Sequence, residues 1–216
     1  KPRPDYWSGA VQTLDDRGTL SLDDDSWRDI VSTQQYCNRA TAFERLGSDM
    51  WYATYCYSRV PYPANLVRYR NGIRIEYTLP ASIRGEVTDI FTQDERRVWL
   101  GVRSDDYGKN NCVIILDDGG TPADLSDDQW QIIELESWRE HITVAVDAQG
   151  RLWRGEASGL YRYDGAAWQQ VYDTRAVCDV VPAADGTVFA QTEYSAGADC
   201  ATYSDRLIVI RPDGEI

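Results

Sequence analysis

Short apolar stretches separated by polar turns run along this chain, and the clearest set lies at residues 142–172. Ile142–Val146 is apolar, Asp147–Gly150 has turn composition, and Arg151–Glu156 alternates around Trp153 and Gly155. Gly159–Tyr163 then leads through Asp164–Gly165 into Ala167–Tyr172, which carries Trp168. Stretches of five or six residues punctuated by Asp and Gly predict consecutive antiparallel hairpins, four short strands in all.

The same phrase returns. Its second strand recurs as Trp7-Ser8-Gly9, Trp51-Tyr52-Ala53, Trp99-Leu100-Gly101, Trp153-Arg154-Gly155 and, in weaker form, Phe189-Ala190-Gln191. These ring positions are 44, 48, 54 and 36 residues apart. The first strand recurs as Ala40–Glu44, Val87–Phe91, Ile142–Val146 and Val177–Val181. Four strands every ~40–50 residues is the period of propeller blades. The expectation is therefore an all-β chain, a single β-propeller domain over 1–216. It has about five four-stranded antiparallel blades, near 6–31, 40–79, 87–135, 142–172 and 177–216. The two terminal units look incomplete, which fits either an unusually closed five-bladed ring or a segment of a six- to eight-bladed propeller. A chain that starts at Lys1 without Met also points to processing or excision from a longer protein.

The recurring rings read as core. A Trp and the small residue two positions later project from one face of a strand, and the small residue leaves room for the next unit. Burying one Trp removes about 150–250 Å² from water, at most about 4–6 kcal/mol. Trp7, Trp27, Trp51, Trp99, Trp130, Trp153 and Trp168 are accordingly assigned to packing rather than to stacking on a sugar.

Residues 142–172 resemble the two-component-regulator propeller repeat. The likeness is carried by Asp147-x-x-Gly150-x-Leu152-Trp153-x-Gly155 and by Gly159-Leu160-Tyr161-Arg162-Tyr163-Asp164. Arg154 and Glu156 depart from it, standing where that family usually has an aliphatic residue and a Thr. Trp51 to Ala53, Trp99 to Gly101 and Asp185-Gly186-Thr187-Val188-Phe189 match in outline. The resemblance implies propellers in the extracytoplasmic parts of bacterial sensor and surface proteins. Those repeats are structural, so it brings no catalytic residue.

Composition narrows the function. A formal charge of −13 argues against nucleic acid, whose phosphates need clustered Lys and Arg, and against adsorption to anionic lipid. No stretch approaches the roughly 18 apolar residues of a spanning helix, so no direct membrane insertion is expected. The five cysteines lack Cys-x-x-Cys or Cys/His spacing, so no metal and no cofactor are expected. The acidic doublets, among them Asp105-Asp106, Asp117-Asp118 and Asp127-Asp128, lack the spacing of a calcium loop and read as turn chemistry.

Blade topology places the start of each first strand and the end of each second strand on one face. Cys37, Cys56, Cys112, Cys178 and Cys200 all fall there, which predicts the disulfides Cys37–Cys56 and Cys178–Cys200 with Cys112 free. Such bonds imply a secreted, periplasmic or cell-surface chain. The same face carries long insertions, where binding on rigid scaffolds usually resides. Candidate binding residues are Tyr57, Arg59 and Tyr62 in the first insertion, Arg103, Asp105 and Tyr107 in the second, and Glu193 and Tyr194 in the third. Trp138, His141 and Arg175 join them from loops entering first strands.

The expected role is a non-catalytic binding, sensing or protein-interaction module for a protein or glycan. One alternative is a carbohydrate-active enzyme using Glu86, Glu193 or Asp105. Another is a structural protein that self-associates through open blade edges. No catalytic residue is marked by motif: His141 is the only histidine, and no Gly-x-Ser-x-Gly elbow accompanies it.

Overall fold

The computed structural model describes residues 11–15, 26–31, 39–55, 65–105, 110–121, 124–137, 140–173, 175–193 and 204–216. A two-stranded ribbon comes first, β1 (Val11–Asp15) and β2 (Ser26–Val31). Blade 1 is β3 (Arg39–Leu46), β4 (Asp49–Tyr55), β5 (Asn65–Arg70) and β6 (Ile73–Thr78). Blade 2 is β7 (Gly85–Thr92), β8 (Arg97–Ser104), β9 (Cys112–Asp117) and β10 (Gln129–Glu134). Blade 3 is β11 (Thr143–Val146), β12 (Leu152–Glu156), β13 (Gly159–Tyr163) and β14 (Trp168–Tyr172). Blade 4 has β15 (Ala176–Pro182), β16 (Val188–Glu193) and β17 (Ser204–Ile210).

Within each blade the strands pair antiparallel in chain order, and the first strands pack blade to blade, β3 on β7, β7 on β11 and β11 on β15. Among the described residues this is a β-propeller arrangement of four blades, one fewer than the repeat count predicts. Of the unit expected at 6–31, the described residues form the β1–β2 ribbon, which among the described residues packs substantially on no other element. Two strands are too narrow to present a blade's two faces for burial. Its Trp7 lies outside the described residues. The other four units begin and end within two residues of the predicted blades, apart from the last, whose described strands end at Ile210. Among the described residues no helix is long and apolar enough to cross a membrane.

Alternation puts each second-strand Trp against the following blade. Trp51 joins Leu66, Tyr77 and Leu79 with Val87, Ile90, Leu100 and Ile114 between blades 1 and 2. Trp99 packs with Val113, Ile142, Val144 and Leu152 between blades 2 and 3. Trp153 packs with Leu160, Val177, Val180, Val188 and Ile208 between blades 3 and 4. All three rings are buried, as expected, whereas Trp130 and Trp168 on the outermost strands are only half-buried. The small residue two positions on is required. A Cβ on Gly101 would lie 2.5 Å from the Ile142 carbonyl oxygen, and one on Gly155 would lie 2.5 Å from Val177 Cγ1.

The turn that precedes Trp153 shows why its sequence recurs. The Asp147 carboxylate accepts from the backbone N–H groups of Gln149 (3.0 Å) and Arg151 (2.9 Å), from Arg151 Nε (2.6 Å) and from Trp153 Nε1 (2.7 Å). Gly150 takes the left-handed conformation this turn needs, φ +76°. One acid thus closes the hairpin and satisfies the buried indole.

Polar hooks cross the seams. Arg68 on β5, fully buried beneath the Trp51 ring, donates to Asp49 in its own blade (Nε, 2.9 Å) and to Asp118 of blade 2 (2.5 Å). Removing one partner from a buried charge cluster of this kind typically costs about 3–5 kcal/mol. Asp118 therefore does more than make a turn, while Asp117 and Asp124 cap turns by accepting from the N–H groups of Gly119 and Ser126. In β7 a bulge at Thr88–Asp89 reaches blade 3. Thr88 Oγ1 donates to the Ile142 carbonyl (2.7 Å), and Asp89 Oδ2 accepts from Thr143 Oγ1 (2.6 Å) and Val144 N–H (2.7 Å).

Burial, aided by the Asp179 carboxylate, pushes Asp89 up to about 7. Its pKa is raised in the fold, so the stability it contributes is complete below about pH 4, the unfolded value, and is lost as pH rises through 7. Melting curves of the wild type and Asp89→Asn should show this. The wild type's advantage is expected to shrink by about 1–2 kcal/mol, several degrees in Tm, between pH 5 and 7. Parallel curves for the two proteins would refute the assignment.

Candidate functional site

The starts of β7, β11 and β15 and the ends of β8, β12 and β16 gather on one face, as blade topology requires. Polar side chains dominate the strand ends there because the apolar alternation stops where the seams stop. Glu86 and Arg103 are cross-strand partners on β7 and β8, and the guanidinium forms an ion pair with the buried Glu86 carboxylate. The next pair outward continues the ladder, with the Asp105 N–H donating to the Arg84 carbonyl (3.3 Å).

Asn111 organises the middle of this face. It is fully buried, and its Oδ1 accepts from the Ser104 N–H (3.0 Å). Its Nδ2 donates to Ser137 Oγ and to the Glu140 carbonyl, each at 3.3 Å. Its backbone bonds to Ser137 and Leu135 complete the link between the β8–β9 loop and the connection from blade 2 to blade 3. The sequence marks Asn111 only as the end of a polar insertion, and nothing local signals that the amide points inward.

Beside it, between blades 1 and 2, opens a cleft of about 290 Å³. Ser82, Ile83 and Arg84 form one wall from the connection into β7, and Val102, Ser104, Asn110, Cys112 and Glu134 form the other. Arg84 and Glu134 are exposed, so the rim carries both signs of charge. The Ser104 hydroxyl is buried without a hydrogen-bond partner. Burial, with the Glu134 carboxylate adding to it, pushes the Cys112 thiol up to about 12, so it is a neutral, inert group. A cleft with charged groups of both signs at its rim is suited to holding a polar ligand.

The predicted site residues divide accordingly. Arg103 and Asp105 lie on the face beside this cleft, with Arg103 committed to Glu86. His141 and Arg175 stand half-buried just before β11 and β15. Glu193 ends β16, buried, with Oε2 3.7 Å from the Cys178 sulfur. Tyr57, Arg59, Tyr62, Tyr107, Trp138 and Tyr194 lie outside the described residues, as do Cys37, Cys56 and Cys200. Cys112 is a free thiol, as expected, whereas Cys178 is disulfide-bonded. Among the described residues no three His, Cys, Asp or Glu side chains are grouped to hold a metal ion.

Blades joined at their inner strands, with loops and a cleft gathered on one face, define a propeller chain. No family model matches this chain, and no curated protein matches it. Among solved structures it is similar to the extracellular domain of the candidate one-component system BT4673 from B. thetaiotaomicron, with a TM-score of 0.51 at 16% identity. The match covers 78% of this chain and 23% of that one, so this chain spans under a quarter of the length of the structure it matches. At that identity the likeness supports the fold alone.

The two described cysteines should behave differently under native alkylation. Cys112 is expected to resist iodoacetamide until the protein is denatured and then to react without reduction, while Cys178 should need a reductant. Labelling of Cys178 in unreduced, denatured protein would contradict this geometry.

Proposed function

We propose that this chain is an extracytoplasmic, non-catalytic recognition module that reads a ligand or partner through the loop-bearing face. The observation that carries the reading is the cleft between blades 1 and 2, which sets an exposed cation and an exposed carboxylate around one opening. Two features support the location. The similar solved chain is an extracellular domain, and Cys178 is oxidised, with Cys200 its proposed partner and Cys37–Cys56 the second bond. Resemblance to the two-component-regulator repeat belongs to the same reading.

Arrays of oligosaccharides and of peptides, run with a reducing-end assay, test it. The wild type should retain at least one probe without releasing new reducing ends. Arg84→Glu, on an exposed side chain, should bind it at least about tenfold more weakly, a change of about 1.4 kcal/mol. Retention of no probe, equal binding by the variant, or turnover of the bound sugar would each remove the proposal.

A second reading, assembly, is favoured by blade 4. On its face away from blade 3, Val181, Phe189 and Val209 lie side by side across three strands, next to Leu207. Val181 is 53% exposed and Leu207 63%. An apolar sheet face of this kind marks an interaction surface. Sedimentation velocity across a hundredfold concentration range should show self-association that Leu207→Lys abolishes; a monomer throughout would end this reading.

A further inference from the structure

Blade 3 departs from its neighbours at two positions. Where Arg154 stands, the other blades have Tyr52, Leu100 and Ala190, and where Glu156 stands they have Thr54, Val102 and Thr192. Both side chains face blade 2 and are almost fully buried, Arg154 at 5% and Glu156 at 2% exposure. The guanidinium lies 4.3 Å from the Tyr161 ring centroid and 4.7 Å from that of Trp168. Its Nη2 is 3.4 Å from Glu156 Oε1, which also accepts from Ser158 Oγ (2.6 Å). Glu140, in the connection from blade 2, accepts a backbone hydrogen bond from Ala157 and closes the cluster.

These contacts leave much unmade. Arg154 Nε and Nη1, Trp168 Nε1, Glu156 Oε2 and Glu140 Oε2 are all buried and have no hydrogen-bond partner. They are five of the nine such atoms among the described residues, concentrated in one seam. Native interiors rarely leave polar groups in this state, and a cluster of them calls for a functional account. The strain also shows in protonation, since burial pulls Arg154 below its ordinary range and raises Glu140.

The unmet groups specify a ligand. Three N–H donors, two of them cationic, need an acceptor, and two carboxylate oxygens need a donor. A simple anion would be repelled by Glu140 and Glu156, and a simple cation by Arg154. A neutral polyol would offer only uncharged partners to a cluster whose open atoms belong to groups of both signs. A small molecule with a carboxylate and an ammonium a few bonds apart meets both demands through charge-assisted bonds. We propose that this seam is a binding site for a free α-amino acid, its carboxylate held by Arg154 and Trp168 and its ammonium by Glu156 and Glu140. The five atoms are sealed from solvent, so entry requires Arg154 to move off the two rings, and binding is slower than encounter. The site is separate from the cleft between blades 1 and 2.

The test uses the wild type and the double variant Arg154→Leu/Glu156→Val, which copies Leu100 and Val102 of blade 2. Calorimetry and melting are measured with each of the standard α-amino acids, and with acetate, methylammonium and glucose as controls. At least one amino acid should bind the wild type with Kd of about 1 mM or tighter and raise its Tm. Without ligand, the variant should melt at or above the wild type, because it removes three of the five unsatisfied buried atoms, and it should lose binding at least tenfold. The Arg84→Glu variant should bind the amino acid unchanged, which separates this site from the cleft. Four results would each overturn the proposal: no amino acid bound at about 10 mM, equal binding by a control, retained binding in the double variant, or a lower Tm for that variant.

Discussion

A four-stranded antiparallel sheet with apolar residues on both faces cannot be stable alone, and the contact across each seam decides everything else in this structure. Trp51, Trp99 and Trp153 each leave their own blade to be buried in the next. The polar hooks obey the same rule, with Arg68 reaching Asp118 and the Thr88–Asp89 bulge grasping the backbone of β11. Apolar area supplies the attraction, while these directional bonds fix register between neighbours that area alone would let slide. Asp89 illustrates the cost, since the bonds that tether blade 3 hold a carboxylate where its charge is poorly solvated.

That seam chemistry also shapes the loop face. The apolar alternation ends at Val102, and beyond it the chain presents Ser104, Asp105 and the buried amide of Asn111. Because Asn111 binds both the β8–β9 loop and the next connection, the groups around it rest on a braced surface. The cleft and the Arg154 cluster sit at successive seams of one scaffold, each where polar residues replace packing that the neighbouring blades retain.

Much of the architecture was legible because its cause is local. Trp-x-Gly, Asp-x-x-Gly and period-two alternation act over a few residues, so the blades beginning near Arg39, Gly85, Thr143 and Ala176 were readable in advance. The first unit is the exception: Trp7-Ser8-Gly9 and the Trp27 segment copy the phrase, but among the described residues only a two-stranded ribbon stands there. Long-range chemistry was invisible. Asp118 resembled the turn acids beside it until Arg68, fifty residues earlier, was seen to meet it. Arg154 and Glu156 stood out as departures, yet Glu140 and Trp168, which give them meaning, are distant in the chain. Of the predicted binding residues, Arg103 and Glu193 lie on the loop-bearing face and are engaged in internal contacts, because a charged residue at a strand end can fold inward as readily as outward.

The glycines at 101 and 155 carry a consequence for the geometry of the hub. With no side chain at these points, the next blade comes close, the Ile142 backbone against Gly101 and the Val177 side chain against Gly155, which closes the wedge between successive sheets. Blade 4 has Gln191 at the equivalent place, with its side chain exposed. Any sheet packed on that side would be held off by the length of an amide, so the curvature is written unevenly along the arc, tight around blade 3 and slack beyond blade 4.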